Sequence, residues 1–264
     1  MPLIRTEAII LQSRKFSETS KIISAFTKDK GRVRILVKGG RKGSKKFPGG
    51  LETLNWVDLQ FYYRSGRELQ NFKLADLIKG YQTLRKDLKL TCTALSLAET
   101  IERTTPPDDA NPILFNILAQ SLAALDSIAL NPWTIRWNSL LRIGRALGFG
   151  MSLQACRRCG VQGPMRSFDL AGGGFICAKC HRANAPEVAV VGQMWGILRF
   201  LDSCSPEVAP RMMVSPEIGK RIEALFLLYY KYHVPGLRGF STWRTLPQTY
   251  WGELPEGEVE KKDG

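Results

Sequence analysis

Two cysteine pairs, CRRCG at 156–160 and CAKCH at 177–181, are the residues of this sequence best spaced for chemistry. Two residues between cysteines let both sulfurs of one turn face a single ion, and two such turns complete the tetrahedron that zinc prefers. Seventeen residues lie between Cys159 and Cys177, within the spacing of a four-thiolate zinc site. Cys156, Cys159, Cys177 and Cys180 are therefore the expected ligands of one Zn2+. Four thiolates leave no position for water or substrate, so such an ion holds a fold rather than doing chemistry. Neighbouring Arg157, Arg158, Lys179 and Arg182 offset the negative charge of the centre. Two unrelated turns with buried thiols, or a redox pair, are the alternatives, but one redox CxxC has no need of a second at this distance.

His181 adjoins Cys180 and is a competing ligand, whereas His233, beside LLYYKYH, reads as a packed or surface histidine. With 2 histidines in the chain, histidine-centred catalysis has little to work with. KGGRKGSKK lacks the GxxxxGK[ST] spacing of a phosphate loop and does not run into a helix. The acidic residues Glu7, Glu18, Asp29, Glu52, Asp58, Glu68 and Asp76 are scattered, which disfavours a magnesium-dependent nuclease. No enzyme is expected, and no small-molecule substrate. A zinc-dependent nuclease stays open only if a histidine or carboxylate enters the metal's shell.

Charge supplies the second signal. Of the net +14, residues 1–80 hold 17 Lys and Arg against 7 Asp and Glu, and residues 81–264 hold 21 against 17. An excess so concentrated is a local electrostatic footprint for a polyanion. No basic amphipathic helix in that region favours a membrane surface, so nucleic acid leads. No apolar run approaches the roughly 18 residues of a membrane span, and MPLIRTEAIILQ does not read as a signal peptide; a cytoplasmic, nucleoid-associated protein is expected. With 44% hydrophobic and 23% charged residues, the chain has material for an ordinary core.

These residues need elements to position them. LIRTEAIILQ (3–12), SKIISAFTK (20–28), RVRILVKG (32–39), NWVDLQFYYR (55–64) and ELQNFKLADL (68–77) read as five strands. In the third, Val33, Ile35 and Val37 alternate with Arg32, Arg34 and Lys38, which puts the apolar set inside and the basic set outside. Closure removes the open edges of so small a sheet, so an OB-type barrel is the economical expectation and an SH3-like barrel the rival. From residue 81 the period turns helical: 81–104, 112–130 with Pro112 as first residue, and 132–149 ending at Gly148 or Gly150. The second of these is apolar nearly all round and reads as a buried helix. VVGQMWGILRFLD and PEIGKRIEALFLLYYKYHV supply two more. The fold class is thus α+β multidomain: an N-terminal five-stranded OB-type β-barrel, then an α-helical domain with a four-cysteine, zinc-ribbon-like insertion. The boundaries fall at 1–80 for the barrel, 81–150 and 187–245 for the helical parts, 151–186 for the insertion, and 246–264 for a disordered charged tail.

On such a barrel Arg32, Arg34 and Lys38 share a strand face, Arg41, Lys42, Lys45 and Lys46 follow in the next loop, and Arg14 and Lys15 come from the connection after the first strand. These are the expected nucleic-acid contacts, with Tyr62, Phe47 and Phe16 as candidate stacking aromatics. Tyr62 alone of the three sits on a strand face that alternation leaves exposed. No ordered set of base-reading side chains is visible, so binding is expected to be backbone-dominated and salt-sensitive.

The runs TEAIILQSRKFSETSKIISAFTKDKGRVRILVKGGRKGSKKFPGGLE, LLRIGRALGFGMSLQACRRCG and GGGFICAKC, in this order and spacing, resemble the bacterial RecO family of DNA repair proteins. The resemblance spans about residues 5–235. It implies a non-enzymatic recombination mediator that binds single- and double-stranded DNA, anneals complementary strands and, with RecR, loads RecA onto DNA coated by single-strand binding protein, whose tail is a further partner. It places the zinc ligands on Cys156, Cys159, Cys177 and Cys180 and the DNA contacts on the basic residues of the barrel. KYHVPGLRGFSTWRTLPQTYWG departs from the family's plain helical ending through a Pro-Gly break and two tryptophans. The rival from another class is a zinc-ribbon RNA-binding or transcription-associated factor.

Overall fold

The computed structural model describes residues 1–39, 51–127, 130–182, 187–243 and 246. Five strands, β1 (Leu3–Lys15), β2 (Lys21–Thr27), β3 (Gly31–Val37), β4 (Trp56–Tyr62) and β5 (Gln70–Lys79), close a barrel in the order β1-β2-β3-β5-β4. All pairs are antiparallel except β3 with β5, where Ile35 faces Gln70 and Leu36 faces Asn71. β1 pairs with both β2 and β4, and this order is that of the OB barrel expected above. Alternation builds the interior: Ala8, Ile10, Ile23, Ala25, Val33, Ile35, Val37, Val57, Leu59 and Phe61 point inward and are buried.

The outer side of β1 and β2 is apolar as well. A bulge between Ile10 and Gln12 sets Leu11 and Gln12 on the same outer side, and Ile9, Leu11 and Phe26 join the core of the helical domain. Each fully buried side chain of this size contributes about 1.5–3 kcal/mol, so the barrel is fastened to its neighbour by its own outer face. Gly31, at φ +63°, lets the β2–β3 turn lie against residues 107–109; a Cβ there would stand 2.0 Å from the Asp109 carbonyl oxygen. The Asp108 amide donates to the Arg32 carbonyl at 3.0 Å.

The helices are α1 (Leu88–Thr104), α2 (Pro112–Ser127), α3 (Pro132–Ala146), α4 (Gly192–Ser203) and α5 (Pro216–His233). α1 starts seven residues later than periodicity predicts, because Tyr81 takes φ +48°, Leu84–Lys86 forms a 3-10 turn, and the Asp87 carboxylate caps the Leu90 amide. Pro112 opens α2 as expected, and α3 ends at Ala146 with Gly148 at φ +88° just beyond. Between α3 and α4 a small sheet runs β7-β6-β8, with β6 (Met165–Asp169), β7 (Gly174–Cys177) and β8 (Glu187–Ala189).

This insertion is packed into the helical core. Phe168 meets Phe175 and Tyr229 edge-on, the Tyr229 hydroxyl donates to the Phe149 carbonyl at 2.8 Å, and His233 stacks on Phe149 with Nε2 2.9 Å from the Leu170 carbonyl oxygen. His233 is therefore a packing residue. At the centre of the bundle Arg136 is 0% exposed: Nη1 lies 2.5 Å from both Glu223 oxygens, Nε donates to Ser96 at 2.9 Å, and the Trp243 ring lies 4.2 Å away. After α5 the chain breaks at Pro235-Gly236 and folds back, stacking Phe240 on Trp243. The Glu99 carboxylate accepts from the Ser241 and Thr242 amides at 2.8 Å each. Of the predicted 246–264 tail, Leu246 is buried and the rest lies outside the described residues.

Candidate metal centre and nucleic-acid interface

The metal candidate is built by two tight turns held to the small sheet. The Gly160 amide donates to the Cys156 carbonyl at 2.8 Å, Gly160 takes φ +75°, and the Cys156 amide returns to the Val161 carbonyl at 2.9 Å. At the end of β7 the Cys180 and His181 amides donate to the Cys177 carbonyl at 3.1 and 2.9 Å. The Arg157 amide bonds the Phe175 carbonyl at 2.9 Å, which sets the first turn over the second. All four sulfurs come within 4.8 Å of one another, and Cys159 Sγ lies 3.7 Å from Cys177 Sγ.

Zn–S bonds of about 2.3 Å in a regular tetrahedron place sulfurs about 3.8 Å apart, so the donor set has the size and softness of a Zn2+ cage. Burial would raise the Cys156 thiol, but the amides of Cys177, Cys159 and Arg158 bring it down to about 6. Cys180 goes the other way, to about 12, foremost through its hydrogen bond with Cys159. Sulfurs this close resist ionising together unless a cation sits among them.

His181 is committed elsewhere. Its Nδ1 lies 2.7 Å from Glu187 Oε2 and 3.0 Å from Ser167 Oγ, and Arg158 pairs with the other Glu187 oxygen at 2.8 Å. Arg158 also donates to the Cys180 carbonyl. Glu187, which spacing could not have singled out, thus ties both turns to β8. Burial would raise its carboxyl, yet Ser167, His181 and Arg158 hold it below the usual value.

The second candidate is the cationic side of the barrel. Arg14, Arg32 and Arg34 line one cleft of about 590 Å3 between the outer faces of β1 and β3 and helix α1. Arg34 is exposed, and neither it nor Arg14, Lys15 or Lys38 forms an ion pair with a described residue. Arg32 differs from the expectation of a free outward cation. It bonds the Thr105 carbonyl at 3.0 Å and Glu102 at 3.3 Å, and Ser24 donates to the same carboxylate, so these three side chains lock the barrel to α1. Lys15 pairs across to Lys21, and Lys21 to Val37, so Lys15 and Lys38 lie at one end of the barrel.

Tyr62 is not brought to this face. β4 is separated from β3 by β5, and Tyr62 is half-buried with Lys73 Nζ 5.7 Å from its ring. Phe16 is 60% exposed beyond β1. Arg41, Lys42, Lys45, Lys46 and Phe47 lie outside the described residues. No helix among the described residues is long and apolar enough to cross a membrane.

Comparison with known proteins covers both halves. Residues 1–81 match the family model described as Recombination protein O N terminal, and residues 85–239 match Recombination protein O C terminal. Among curated relatives, the DNA repair protein RecO of Frankia casuarinae is 35% identical over 191 residues, 72% of this chain and 78% of that protein. RecO of Geobacter sulfurreducens is 33% identical over 69% of this chain and 75% of its own length. RecO of Caldanaerobacter subterraneus, at 24% identity, is matched over 89% of this chain and 94% of its own.

Proposed function

The chain belongs to the recombination protein O family of DNA repair proteins, and from that membership we propose that it acts by binding and annealing DNA strands, without catalysing a reaction. The carrying observation is the pair of cations Arg14 and Arg34 in one cleft of a closed barrel, with Lys15 and Lys38 at one end of that barrel, none of the four ion-paired to a described residue. Annealing needs a surface that offsets phosphate repulsion between two strands without gripping either tightly. Spaced guanidinium and ammonium groups do this, and binding weakens steeply with salt as counterions are released. Arg41, Lys42, Lys45 and Lys46 extend the same charge along the sequence.

Cys156, Cys159, Cys177 and Cys180 would hold one zinc ion whose role is to cross-link the two turns of the insertion. Arg158, Glu187 and His181 orient those turns from outside the sulfur cage. The helical domain is then the place for protein partners, RecR and the tail of single-strand binding protein, in loading RecA. The test is annealing of complementary DNA oligonucleotides, with and without single-strand binding protein. Acceleration of both reactions is expected; no annealing above background, together with tight RNA binding, would favour an RNA-binding or transcription-associated factor instead.

A further inference from the structure

The segment that folds back after α5 leaves a groove of about 420 Å3 between itself, the last turn of α1 and the last two turns of α5. Arg103, Lys231 and Arg238 line it together with Leu227 and Phe240. Phe240 is buried and stacked on Trp243, and Gly239, at φ +140°, would bring a Cβ to 3.7 Å from the Lys231 stem, so the wall lies close and fixed. Lys231 and Arg238 are exposed, and neither forms an ion pair with a described residue. Arg103 pairs with Glu99, and that carboxylate also takes the Ser241 and Thr242 amides. Three cations thus stand against one carboxylate, which does not itself line the groove. The groove is built for an anion with some apolar surface.

We propose that this groove is the seat of the chain's own acidic segment, residues 253–260, which read ELPEGEVE. That segment lies outside the described residues and beyond the residues matched by either family model. Glu253, Glu256, Glu258 and Glu260 supply the carboxylates, with Leu254 and Val259 between them for Leu227 and Phe240. Residues 247–264 as a whole carry 5 Asp and Glu against 2 Lys, opposite in sign to the groove. The tether is short. Ser241 in the groove wall is five residues before Leu246, a path of at most roughly 18 Å, and Glu253 is seven residues after it, at most roughly 25 Å. Exposed ion pairs are individually weak, but a ligand on the same chain needs little affinity. At an effective concentration on the order of 1 mM, a seat with a Kd of about 0.1 mM is roughly nine-tenths filled. The groove is then self-occupied, and any other anionic peptide must displace the segment to enter.

The experiment treats the full-length protein with a carbodiimide, which couples a carboxylate to an amine without a spacer, and maps the links by mass spectrometry. A link from Lys231 to a glutamate of 253–260 is expected, and Arg238→Glu should lower its yield at least about fivefold through lost attraction. No such link, or a yield indifferent to Arg238→Glu, overturns the proposal. Mixing isotopically heavy and light protein separates the sources: links within one chain are expected, and heavy–light pairs in statistical proportion would assign the segment to a second copy and overturn it. A labelled peptide of residues 252–264 gives a second readout at low salt. It should bind a full-length chain carrying Glu253→Gln, Glu256→Gln, Glu258→Gln and Glu260→Gln roughly tenfold tighter than the unsubstituted chain, whose groove is already filled. Equal affinities, or no binding to either protein, refute self-occupancy. In the four-Gln chain Arg238→Glu should abolish peptide binding; loss with Arg34→Ala instead would put the segment on the barrel and overturn this seat.

Discussion

Replacing Glu223 by Gln keeps the side chain's shape and removes its charge, leaving Arg136 as a cation 0% exposed with no counter-ion. The native carboxylate takes Arg136 Nη1 on both oxygens at 2.5 Å and the Trp137 indole N–H at 2.5 Å. Ser96 satisfies only Arg136 Nε, and nothing else of opposite charge reaches the guanidinium among the described residues. Breaking one partner of such a pair costs about 3–5 kcal/mol, because the remaining charge stays buried. At about 2–4 °C per kcal/mol for a chain of this size, the melting temperature should fall by roughly 6–20 °C. The assay is urea and thermal unfolding followed by circular dichroism. An apolar double replacement, Arg136→Met with Glu223→Leu, should recover most of the loss, since it buries no charge. A Glu223→Gln protein within about 1 kcal/mol of wild type would refute the reasoning, showing that water reaches the pair.

Cys159→Ser removes one of four sulfurs, so zinc content should drop well below one ion per chain and stability by at least about 2 kcal/mol; a chelator should do the same to wild type, and equal zinc content in both proteins would contradict the four-sulfur cage. Gly31→Ala forces a Cβ against the Asp109 carbonyl oxygen at a positive φ, for a loss upward of about 2 kcal/mol in denaturant; an unchanged midpoint would mean that residues 107–109 move aside freely. Burial alone would raise the Glu99 carboxyl, but bonds from Thr242, Ser241 and Arg103 hold it below its usual value. Its contribution is therefore present above the unfolded carboxylate value of about 4.3 and is lost as pH falls through the lower folded value. Glu99→Gln should flatten the acid limb of the stability profile; superposable limbs would refute the assignment.

Strand alternation made the barrel legible, because a closed sheet with one filled interior imposes period 2 on every strand. What lay on the outer side was less so. Ile9 and Leu11 flank Ile10 in an unbroken apolar run, a sign of burial on both faces, yet periodicity does not say which element provides the cover. Arg32 and Arg34 share one strand face, and only the arrival of Glu102 from α1 separates an internal lock from a free cation. Tyr62 is placed outward by alternation, but strand order carries it round the barrel from β3. The four cysteines were readable because metal geometry constrains local spacing. Glu187, outside both cysteine turns, has no such constraint. The refolding of 236–243 onto α1 follows a Pro-Gly break, and its partners lie far back in the chain.

That last contact bears on the order of events during synthesis. Glu99 waits for Thr242, 143 residues further on, and Arg136 waits for Glu223, 87 residues further on. At about 5–20 residues per second the first interval lasts roughly 7–30 s, time in which the barrel can close but the helical bundle lacks its last partners. A nascent chain stalled before α5 would carry an unmated arginine in its bundle and no strap across α1. Truncation near the C-terminus is thus expected to yield a finished barrel on an unfinished bundle, a product marked for proteolysis.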